Sequence, residues 1–151
     1  MLLSCLGAGE LRMAVGLRSV VGSAPLHVWA ARATGLLLPQ GLLVLAIYAI
    51  LGFDLPLESL PLGLRIDPLH AVMHAIWGAA GAFVGLVKPD WSIPWLILFG
   101  VYYLAMSIFG LFTDIHFGLH LGPRENSFHL VIGSASFALG IYSAMTARVA
   151  P

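Results

Sequence analysis

Charge is nearly missing from this chain: seven Lys and Arg and seven Asp and Glu among 151 residues, or 9%, with a formal net charge of zero. A soluble domain carries about a quarter of its residues as charges, so most of this surface is not built for water. The zero balance also removes the basic face that a polyanion needs, which argues against nucleic acid as a partner. Cysteine is reduced to Cys5. One thiol closes no intramolecular disulfide, and without a Cys-x-x-Cys pair there is no thiolate zinc site. Also missing are a Gly-x-Ser-x-Gly elbow, a phosphate loop and a His-Glu-x-x-His helix. No residue pattern announces an enzyme, and the expectation leans towards a non-enzymatic protein.

What fills the chain instead is apolar: 60% of its residues are hydrophobic. Four uncharged runs, Ala33–Phe53, Pro68–Val87, Trp91–Thr113 and Asn126–Ala147, are each bounded by charged residues. A helix of roughly 20 apolar residues crosses a ~30 Å hydrocarbon layer, and each run has about that length. The expected fold is therefore all-α, an integral membrane four-helix bundle occupying residues 32–151, with the lipid bilayer as its first partner. Residues 1–31 read as an interfacial or disordered leader, because Glu10, Arg12 and Arg18 interrupt its apolar stretches. No basic n-region precedes them, as a secretory signal would require. Met13 is an alternative start to Met1.

Four crossings put both termini and the Lys88–Asp90 turn on one side. That side holds Arg12, Arg18, Arg32, Lys88 and Arg148, against Arg65 and Arg124 on the other. The positive-inside rule then places both termini in the cytoplasm. Trp91 and Trp95, just past the turn, suit an interfacial anchor on that inner side.

Two helical hairpins echo each other. The second span opens Asp67-Pro68-Leu69-His70 and continues through His74 to Gly78; the fourth opens Glu125-Asn126 and continues through His129 to Gly133. Each has an outer acidic residue, a His within about two turns, and a Gly four residues after a His. Parallel repeats of this kind are known in membrane proteins and specify no function. Gly81 and Gly85 form a GxxxG pair, and Ser136 with Gly140 a small-x-x-x-small pair. Such pairs let helix backbones approach, and with Gly78 and Gly133 they are expected to serve internal packing.

These residues resemble the bacterial membrane proteins grouped as domain of unknown function 4383. The likeness runs from about Thr34 to Ala147. It rests on Leu69-His70-Ala71-Val72-Met73-His74 with Gly78, on Gly100-Val101-Tyr102-Tyr103-Leu104 followed by Gly110, and on Glu125-Asn126-Ser127-Phe128-His129 with Gly133. Ala71 stands where the family pattern has Asn, and Glu125 where it has Asp. The resemblance implies a four-helix topology and a place in the bacterial cell (inner) membrane; it implies no activity.

The histidines carry the remaining chemistry. His70 and His74 are one helical turn apart and share a face, and His129 enters the fourth span at a similar depth. Polar side chains in lipid turn inward towards partners. The three are expected beneath the outer loops, in a polar cluster with Asp67, Asp114, Glu125 and Asn126. Two readings stay open. In one, the imidazoles are hydrogen-bonding glue between helices of a structural or accessory protein. In the other, His70, His74 and His129 bind a transition metal, or His74 and His129 bind haem, in a redox or sensor protein, with His116 and His120 as further donors. A proton relay is disfavoured, because the inner halves of the second and fourth spans offer only Ser134, Ser136, Tyr142, Ser143 and Thr146.

Overall fold

The computed structural model describes residues 24–52, 66–112, 115–116, 119–120 and 122–147. Helix α1 (Leu26–Thr34) is followed by α2 (Leu37–Leu51), α3 (Pro68–Val87), a 3-10 turn (Pro89–Trp91), α4 (Ser92–Phe109) and α5 (Pro123–Ala147). Between α4 and α5, β1 (Ile115–His116) pairs antiparallel with β2 (Leu119–His120). Four stretches, Leu26–Leu51, Pro68–Val87, Pro89–Phe109 and Pro123–Ala147, are long and apolar enough to cross a membrane. Large side chains such as Ile50, Leu86, Leu98 and Val131 point outward, as lipid contact requires. The chain is a multi-pass membrane protein built as a four-helix bundle.

Local sequence sets the boundaries. The Asp67 carboxylate accepts the backbone N–H of His70 at 2.8 Å, and Pro68 follows it at the first helical position. An acidic N-cap before proline satisfies one donor and omits another that the first turn would leave unpaired. At the other end Pro89 disfavours helical geometry at the residue before it, and α3 stops before Lys88.

The first span differs from the expectation. It begins at Leu26 rather than Ala33, so Arg32 lies within it, and residues assigned to the leader belong to the bundle. Val28 and Ala31 are buried. Arg32 is tolerated because its Nε donates to the Gly85 carbonyl at 2.9 Å and its guanidinium lies over the Trp29 ring. That carbonyl is among the last four of α3, which have no partner within their own helix. The span is also broken at Gly35–Leu36; Pro39 has no N–H to continue the helical ladder back to that turn. The rest of the leader, residues 1–23, lies outside the described residues, as does Asp114.

Glycine lets the spans touch. A Cβ on Gly78 would run into the backbone of Leu37 and Leu38, one on Gly81 into Thr34, and one on Gly85 into Arg32. The positions descend on α3 as they rise towards the start of α1, the register of antiparallel neighbours. Along the α4–α5 pair, Gly133 meets Tyr103 and Leu104, Gly140 meets Leu96 and Ile97, and Gly110 makes room for the Asn126 side chain. Gly78, Gly81, Gly85, Gly133 and Gly140 each lie against a neighbouring helix of the same chain.

Trp95 corrects its expected role as an interfacial anchor. It is 8% exposed and belongs to a core with Ala31, Val84, Leu96, Phe99 and Tyr103. Its indole N–H donates to Thr34 Oγ1 at 3.0 Å, and that hydroxyl donates to the Ala31 carbonyl. Trp91 is 63% exposed. Trp95→Phe should remove one interhelical hydrogen bond and leave a gap where the larger ring packed, lowering stability by at least about 0.6–2 kcal/mol. Thermal unfolding in detergent should show a lower midpoint than wild type; an unchanged midpoint would mean that this bond contributes nothing.

Candidate functional site

Three histidines meet at the end of the bundle opposite the start of α1 and the end of α5. His70 and His74 project from successive turns of α3, with ring centroids 4.5 Å apart, and His129 of α5 lies 5.6 Å from His70. All three are at least 95% buried. One ligand nitrogen from each can be chosen so that all lie within 4.8 Å of one another. An ion bound to imidazole at ~2.0–2.1 Å holds its nitrogens ~3.3–3.6 Å apart. Side-chain rotations of about an ångström would close the remaining gap.

A residue that the motif reading passed over fixes one of these rings. Gln40 Oε1 of α2 faces His74 Nδ1 at 3.0 Å. With an oxygen opposite, Nδ1 carries the hydrogen, and the lone pair of His74 sits on Nε2. Among the described residues that Nε2 has no hydrogen-bond partner, and neither does His129 Nδ1. A sequence signal for Gln40 existed: it is the only amide side chain in the first apolar run, and polar side chains in spans mark sites.

The surroundings are layered. The histidines share a cavity of about 10 Å³ with Met73, Trp77, Tyr102, Tyr103, Met106 and Leu119. A second space of about 30 Å³ is lined by Gln40, Ile66, Glu125 and Phe128 together with all three histidines. Towards the start of α1 the interior is closed by aromatic rings: Trp77 lies 5.3 Å from Trp95 and 5.8 Å from Phe99, and Phe99 4.5 Å from Tyr103. Tyr103 in turn stacks edge-on to His129 at 5.0 Å. Ser134 and Tyr142 are exposed, and Thr146 turns back onto its own helix. Among the described residues no continuous polar path leads from the cluster to the other end.

The expected polar cluster is divided between roles. Asp67 caps α3. Glu125, 4% exposed, lines the small cavity beside the histidines. The Asn126 side chain is packed against Gly110, and its backbone carbonyl accepts from Ser107 Oγ at 3.1 Å. His116 and His120 lie in the short paired segments over this end.

A family model described as Domain of unknown function (DUF4383) matches residues 57–142. No curated protein and no solved structure matches the chain.

Proposed function

The chain belongs to the family described as Domain of unknown function (DUF4383), and since that description carries no activity, we propose a function from the site alone: a membrane protein that holds one transition-metal ion on His70, His74 and His129. The observation that supports this most is the pair of buried ring nitrogens, His74 Nε2 and His129 Nδ1, that lack hydrogen-bond partners among the described residues. An unsatisfied polar group inside the membrane costs several kcal/mol. Histidines selected as helix glue would use these atoms for hydrogen bonds; histidines selected as ligands keep their lone pairs available.

Gln40 supports the same reading. Metal-binding imidazoles donate their other N–H to a neighbour that fixes tautomer and ring angle, and the His74 Nδ1–Gln40 contact has that form. A single ion is favoured over haem, since the space among the three rings is about 10 Å³ and a macrocycle would have to separate the helices. We also read the two hairpins as a parallel repeat, with His74-x-x-x-Gly78 and His129-x-x-x-Gly133 as corresponding segments. The basic residues favour cytoplasmic termini, which would set the metal beneath the outer face of a bacterial inner membrane.

The test is metal retention. Detergent-purified full chain, stripped by chelator, loaded with Zn(II) or Co(II) and desalted, should retain about one ion per chain. Loading should raise the melting temperature, because the ion binds the folded state. The gain should shrink as pH falls, since protons compete with the ion for neutral imidazole. Retention no greater than that of empty micelles would overturn the proposal.

A further inference from the structure

Two thioethers face the histidine cavity. Met73 of α3 lies between His70 and His74 in sequence and is half-buried, while Met106 of α4 is 6% exposed and packs with Leu119. Both line the 10 Å³ space with the three histidines, and both also line an adjoining apolar space of about 250 Å³ with Leu69, Tyr102 and Leu119. The sulfur side chains thus sit where the histidine cluster opens towards the apolar exterior.

We propose that the ion taken by this site is copper(I), held by imidazole nitrogens of His70, His74 and His129 with a thioether of Met73 or Met106 as an additional soft donor. The inference rests on the metal-binding reading above and narrows it to one ion. Its first argument is donor softness: thioethers select Cu(I), whereas imidazole alone suits zinc, copper, iron and nickel. The second is charge. Among the described residues, the side chains close enough to share one ion are three histidines, with no carboxylate or thiolate in the group. Neutral donors leave the ion's full charge in a low-dielectric interior. The Born penalty grows with the square of the charge, so a divalent ion pays about four times what a monovalent one does. A neutral donor set therefore favours the ion of lower charge. Glu125 lines the neighbouring 30 Å³ space and is not part of the histidine group.

The third argument is geometric. Three converging nitrogens and one sulfur suffice for the low coordination numbers that a filled-shell monovalent copper ion accepts. An octahedral ion would need donors that the aromatic wall of Trp77, Tyr102 and Tyr103 does not supply.

The experiment compares Cu(I) with Zn(II) on the detergent-purified full chain. Cu(I) is kept reduced under anaerobic conditions and its affinity measured against a chromogenic Cu(I) chelator. The proteins are wild type, Met73→Leu, Met106→Leu and the double variant. Leucine keeps the volume of methionine and removes the sulfur, and zinc binding in the same variants checks that the site still folds. Wild type should prefer Cu(I) over Zn(II), and the double variant should lose about tenfold or more in Cu(I) affinity with its zinc affinity nearly unchanged. Equal Cu(I) affinity in wild type and double variant, or a wild type that prefers zinc, overturns the copper assignment while leaving a histidine metal site intact. Failure to retain either ion overturns the metal-binding reading itself.

Discussion

Detergent-purified His129→Phe and His74→Phe variants are expected to retain no zinc or cobalt under conditions where wild type keeps one ion per chain. Each exchange removes a ligand nitrogen while keeping a planar ring in the core, so the bundle is not left with a large void. Removing either nitrogen leaves two histidines, and among the described residues no other His, Cys, Asp or Glu belongs to the group. His74 and His129 come from different spans, so only the folded hairpin pair brings them together. Gln40→Leu is the graded member of the series. It removes the partner of His74 Nδ1 but no ligand, and loss of such a partner lowers metal affinity about 10–100-fold. Elemental analysis after desalting and a calorimetric titration read all three variants. If the histidines were only interhelical glue, each substitution would cost on the order of 0.6–2 kcal/mol of stability. Metal retention would then be equally absent from wild type and variants, and that result would end the metal reading.

The spans were legible where the chain carries its own punctuation. Asp67-Pro68 and Lys88-Pro89 bracket α3 in sequence as they do in space, because an acidic cap and two prolines act locally. The first span was misread because a charge was taken as a boundary. Arg32 sits inside the helix, and what permits this is the Gly85 carbonyl at the far end of another helix, a partner that no local pattern reveals. Trp95 failed for the same kind of reason: its place near a turn suggests an interface, yet Thr34, sixty-one residues away, accepts its N–H. Within the site, the pairing of His70 with His74 follows from helical periodicity alone. The arrival of His129 does not, since it depends on which faces of α3 and α5 meet, and neither does Gln40, which reaches His74 across the α2–α3 contact. The sulfurs were the least visible, because a Met in an apolar span is indistinguishable by pattern from any other filler.

The α2–α3 contact also ties the stability of the bundle to the geometry of the site. Gly78 lies one turn beyond His74 on α3, and a Cβ there would collide with the backbone of Leu37 and Leu38, two residues before Gln40. The absence of a side chain at Gly78 is therefore what lets α2 come close enough for the Gln40 oxygen to reach His74 Nδ1. Gly78→Val should be among the most damaging single changes in the molecule. Its bulk meets main chain rather than a flexible side chain, so relief requires a helix to move, and the loss should reach or exceed the ~1–3 kcal/mol usual for overpacking. Ala79→Val, on the exposed face one position along, adds similar bulk towards lipid and should stay within about 0.5 kcal/mol of wild type. The same pair separates stability from site geometry. At a temperature where both variants remain folded, Gly78→Val should show the weakened metal affinity of Gln40→Leu, and Ala79→Val should not. A Gly78→Val protein that melts with Ala79→Val and binds the ion as tightly would mean that α2 does not depend on this glycine for its approach, and that Gln40 is held against His74 by something else.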